Sequence, residues 1–135
     1  MFLNLLNEEQ KECFFKYAYK LATVDGQYTK SEEEMLLAYC DEMHVPFNVE
    51  AEKANVEELL EKLNSVCGEQ EKKIVLFEAI GLALVDNKYD ESESKMLKAM
   101  VQKFDLEMSF KEDAKKYVEE YIQLQAKINT LVLGA

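Results

Sequence analysis

The chain has 135 residues, 48% hydrophobic and 32% charged, with 27 acids against 16 basic residues and a formal net charge of -11. All 16 basic residues are lysine, which speaks against nucleic acid and anionic membrane surfaces, since both demand a basic face and base reading leans on arginine. Four glycines and one proline leave little for a turn-rich sandwich or barrel, and a single histidine, His44, removes most imidazole chemistry.

The expected organisation is one helical domain, residues 1–135, built from an internal repeat of 7–67 and 68–135. Residues 1–6 are apolar but too short for a signal core and lack a basic flank, so a cytoplasmic protein is expected. Asn7 with Gln10 predicts the start of a first helix running to about Val24, with Phe14, Ala18 and Leu21 on its inner stripe. Thr29 with Glu32 forms a capping box for a second helix carrying Met35, Leu36, Tyr39 and Met43. Asn48 announces a third, and Asn55 with Glu58 a short leucine-rich one over 59–63.

The second half restates this pattern 61 residues later. Gly68 with Glu71 opens a helix to about Val85, inward at Val75, Ala79 and Leu82. Asp90 with Glu93 caps the next, which carries Met96, Leu97, Met100 and Phe104. Ser109 with Glu112 opens a long amphipathic helix over 110 to about 131. Residues 18–45 lie over 79–106 without a gap, and 11 of 28 pairs are identical, where average composition gives roughly two. No alternating run is long enough for a strand. The predicted fold is an all-α bundle of six to seven helices in two pseudo-symmetric repeats. The apolar segment 128–133 is too short to cross a bilayer.

Cys13, Cys40 and Cys67 form no CxxC. A zinc site joining Cys40 and His44, one helical turn apart, to Cys13 and Cys67 is the alternative to buried thiols. Their apolar-periodic positions favour the thiols.

The repeated turn between the first and second helices carries the chemistry. Gly26 and Asn87, the residue types that best tolerate positive φ, are expected to close the first helix of each half. Asp25 and Asp86 stand at helix C-termini, where an acid is disfavoured by the helix dipole, and they continue the inner stripe. Glu32 and Glu93 face inward, whereas Glu33 and Glu34 point elsewhere. Carboxylates beside helix-end carbonyls are the hard oxygen ligands of calcium, magnesium or manganese. An Asx-turn at Asp25 and a plain capping box at Glu32 are the scaffolding alternative. An EF-hand is excluded: counted from Asp86, Lys88 takes the third position, Glu91 replaces the sixth-position glycine and Leu97 the twelfth-position acid.

The paired segments around Val24-Asp25-Gly26 with Ser31-Glu32 and Val85-Asp86-Asn87 with Ser92-Glu93 resemble the TerB-like (tellurite-resistance) family. That resemblance implies an all-helical fold with an internal pseudo-twofold, an acidic site for divalent cations, and a role in bacterial stress or tellurite resistance. Carried over by position, the candidate metal ligands are Asp25, Glu32, Asp86 and Glu93; Asn87 departs from the family's glycine. Two readings follow. One is a non-enzymatic cation-binding stress module. The other is an acidic protein-interaction module that docks a protein partner or forms a homodimer, using the acidic first half or the apolar segment 131–133. No nucleophile–base pair or phosphate-cradling glycine loop supports an enzyme.

Overall fold

The computed structural model describes residues 1–85 and 89–134. Among the described residues the chain is all-α, with six α-helices and no strand. They are α1 (Glu8–Thr23), α2 (Lys30–Met43), α3 (Val56–Val66), α4 (Glu69–Leu84), α5 (Glu91–Phe104) and α6 (Met108–Leu133). Short 3-10 turns at Leu3–Leu5 and Val49–Lys53 precede α1 and α3.

The caps explain the boundaries. Asn7 accepts the Gln10 N–H at 2.9 Å while Gln10 Oε1 accepts the Asn7 N–H at 2.9 Å, a complete capping box. Thr29 with Glu32 and Asp90 with Glu93 repeat that device on α2 and α5. Gly68 supplies no side chain, so only the Glu71 half of the box forms, at 2.8 Å. The ends of α1 and α4 fall at Thr23 and Leu84, one residue short of the expected valines, which serve as C-caps. α1 and α4 begin and end 61 residues apart, as do α2 and α5.

Two boundaries differ from the sequence reading. Asn48 caps a 3-10 turn rather than an α-helix, because the next cap, Asn55, follows only seven residues later and leaves too little chain for stable α turns. α6 starts at Met108 behind Glu107, two residues ahead of the expected Ser109 cap. Ser109 instead donates its hydroxyl to Glu107 Oε2 at 3.2 Å.

One apolar cluster runs through the bundle and draws on every α-helix. α1 is its hub, packed on α2, α3, α4 and α5, while α6 lies on α4. α4 buries residues around most of its circumference, as a central helix must. Residues 1–6 also join the core through Leu3 and Leu6. Their backbone is held by distant acids: Glu78 accepts the Phe2 N–H and Glu42 the Leu3 N–H, both at 2.9 Å. No helix among the described residues is long and apolar enough to cross a membrane.

Candidate metal centre

The site is assembled where the end of α1 meets the start of α5. Tyr17, fully buried two turns before Asp25, donates its hydroxyl to the Met96 carbonyl at 3.1 Å. Met96 lies one turn beyond Glu93, so this bond holds the N-terminus of α5 against the C-terminal half of α1.

Locally each acid has a structural reason to be where it is. Gly26 adopts φ +77° and donates to the Thr23 carbonyl at 3.1 Å, closing α1 in the left-handed conformation that glycine tolerates. Asp25 Oδ1 accepts the Gln27 N–H at 2.9 Å, an Asx-turn. Glu32 Oε1 accepts the Thr29 N–H at 2.9 Å, and Glu93 Oε1 accepts the Asp90 N–H at 3.3 Å. Asp90 Oδ1 in turn accepts the Glu93 N–H at 2.8 Å. Glu32 and Glu93 are each only 2% exposed, whereas Glu33 and Glu34 are exposed.

Three of these acids stand together. Asp25, Asp90 and Glu93 each place an oxygen within 4.8 Å of the other two. Glu93 Oε2 is buried with no hydrogen-bond partner among the described residues. No ion pair among the described residues involves any of the three. Burial pushes the Glu93 carboxyl up to about 8, and the neighbouring charges of Asp90, Glu32 and Asp25 push in the same direction against the Asp90 N–H bond. An acid of the first turn therefore shares one electrostatic environment with the capping box of the second half.

Of the four residues expected as ligands, Asp25 and Glu93 are brought together. Glu32 is buried and its charge reaches Glu93. Asp86 lies outside the described residues. The participant the sequence reading did not assign to the site is Asp90, whose capping role fully accounted for it. The signal was present in the repeat, where Thr29 occupies the matching cap and Asp90 brings an additional charge.

The donor chemistry fits a hard cation. Opposite oxygens on a calcium ion stand about 4.8 Å apart and those on magnesium about 4.2 Å, twice the respective bond lengths. The observed oxygens lie within 4.8 Å of one another, close enough to share one such ion. An unpartnered buried carboxylate oxygen is costly unless a proton or a cation satisfies it.

The cysteines gather into no metal-binding group with His44 among the described residues. All three are free and buried, and burial pushes Cys13 and Cys67 up to about 11 and raises Cys40 as well. His44 serves another purpose. It closes α2 in the left-handed conformation at φ 57°, as Asp105 closes α5 at φ 54°. The thiols are expected to resist a disulfide reagent at pH 8 in the native protein and to react fully in denaturant. Stoichiometric labelling of the folded chain, followed by absorbance, would contradict that burial. Tyr28 packs on Tyr19 at 6.0 Å, and Lys115 sits over the Tyr89 ring at 4.9 Å.

Compared with protein-family models, curated proteins and solved structures, the chain matches none.

Proposed function

We propose that the protein is a non-enzymatic helical module that binds a divalent cation, calcium foremost, at the junction of α1 and α5. Asp25, Asp90 and Glu93 would hold the ion, with Glu32 adding charge from the first capping box. The observation that carries this reading is the buried, unpartnered Oε2 of Glu93, on an acid whose carboxylate stands with those of Asp25 and Asp90, with no lysine paired to any of the three among the described residues. A bound cation would satisfy that oxygen and relieve the repulsion among the carboxylates. The matching 61-residue spacing of α1 with α4 and of α2 with α5 supports a duplicated helical unit as its origin. The resemblance to the TerB-like family supplies the physiological setting of this proposal, bacterial stress or tellurite response.

Calorimetric titration with calcium, magnesium and manganese chlorides tests the site. Asp25→Asn/Asp90→Asn is the informative variant, because asparagine keeps both the Asx-turn and the helix cap while removing two charges. Wild type should take up one ion per chain, and the variant should bind at least about tenfold more weakly. Indistinguishable isotherms for the two proteins would reduce the cluster to ordinary turns.

A further inference from the structure

α6 carries two apolar faces, and the bundle covers only one. Ala114 and Val118 are buried and Ile122 is half-buried against the core. About a quarter turn away run Tyr117, Tyr121, Leu124, Ile128 and Leu131, which are 49% to 84% exposed. Their spacings of four, three, four and three residues are the alternation of a coiled-coil seam rather than of a helix lying on a globular core. Beyond Ile122 every described residue of the helix is exposed. The projecting arm, 123–133, is 11 residues long (133 − 122), a length that is marginal as an isolated helix in water.

We infer that this seam pairs with α6 of a second copy of the same chain, antiparallel, with Tyr121 of each copy opposite Leu124 of the other. Three observations select that occupant. The first is charge: of the residues flanking the seam, Glu120 and Lys127 are one heptad apart. In an antiparallel pair, Glu120 of one copy faces Lys127 of the other, twice by symmetry. In a parallel pair, Glu120 would meet Gln125 and Lys127 would meet Val132. The second bears on orientation: each chain carries -11, a charge that opposes self-association, and antiparallel helices keep the two acidic bundles at opposite ends of the seam, where that repulsion is least. The third is area: the four side chains that this register pairs, Tyr117 with Ile128 and Tyr121 with Leu124, cover about 400 Å² per copy, about 800 Å² in all, the size of a weak, reversible dimer.

Sedimentation velocity across micromolar to hundred-micromolar protein reads the assembly directly. Wild type should sediment with the mass of two chains. Leu124→Glu and Ile128→Glu change only exposed positions and should give monomers with unchanged core melting. Glu120→Lys should raise the dissociation constant about tenfold, and combining it with Lys127→Glu should restore it. A wild-type monomer at the highest concentration, or a dimer indifferent to Leu124→Glu, overturns the interface. A dimer indifferent to the charge swap overturns the antiparallel pairing. None of these readings depends on cation binding, so the two proposals stand or fall separately.

Discussion

Without divalent cations at pH 8, Glu93→Gln should melt several degrees above wild type. At pH 5 most of that difference should be gone. The reason is the proton balance of one carboxyl. Unfolded, it ionises near the ordinary value of 4.5; folded, burial and its acidic neighbours raise it to about 8. Between those values the native state binds more protons than the unfolded state, so stability falls as pH rises and the penalty is complete above about 8. Glutamine cannot ionise, yet its amide oxygen still accepts the Asp90 N–H, so the capping box survives. A shift of this order corresponds to a few kcal/mol, at a few degrees of melting temperature for each in a domain this size.

Every other titrating group is common to the two proteins, which makes the difference between their pH profiles specific to Glu93. Calcium should then separate them in the opposite sense. An ion at about 100 times its dissociation constant adds about 2.7 kcal/mol to wild type, while the variant gains little. Scanning calorimetry at pH 5 and pH 8, with and without calcium, checks all four values. Parallel pH profiles would mean that Glu93 is not held as an unsatisfied acid.

How much of this was legible in the sequence depends on whether the cause is local. Caps at Asn7, Thr29, Asn55 and Asp90 act within three residues, and each stands where the pattern places it. The burial of Glu32 and Glu93 follows from helical facing alone. The 3-10 turn at Leu3–Leu5 was not legible, because its backbone partners Glu42 and Glu78 come from α2 and α4. Nor was the role of Asp90, since a residue with a sufficient local explanation gives no sign of a second one. The left-handed caps His44 and Asp105 share no chemistry, only a position in the repeat. The second face of α6 was legible only at its end, in the apolar segment 131–133, because an amphipathic helix shows first the one face that meets the core.

Phe14→Ala is the substitution expected to cost the fold most for a single side chain, about 3–5 kcal/mol. Phe14 is fully buried on α1, and its ring packs on Tyr39 of α2 at 5.6 Å between centroids. Tyr39 is itself committed, donating its hydroxyl to the Glu78 carbonyl of α4 at 2.6 Å. Shortening Phe14 leaves a cavity that Tyr39 can fill only by giving up a buried hydrogen bond, so the site collapses poorly and the cost falls toward the upper end. In a domain of this size the melting temperature should drop by roughly 10–20 °C. Leu37→Ala, at an exposed position of α2, is the matched control and should move it by a degree or two at most. The proposed cation site lies at the far end of α1, beyond Leu21 and Ala22, which are packed in the core. Below its lowered melting point, Phe14→Ala should therefore bind calcium as wild type does. Loss of binding with the fold still intact by circular dichroism would show that the acids are held by the whole α1–α2–α4 packing rather than by the junction of α1 and α5.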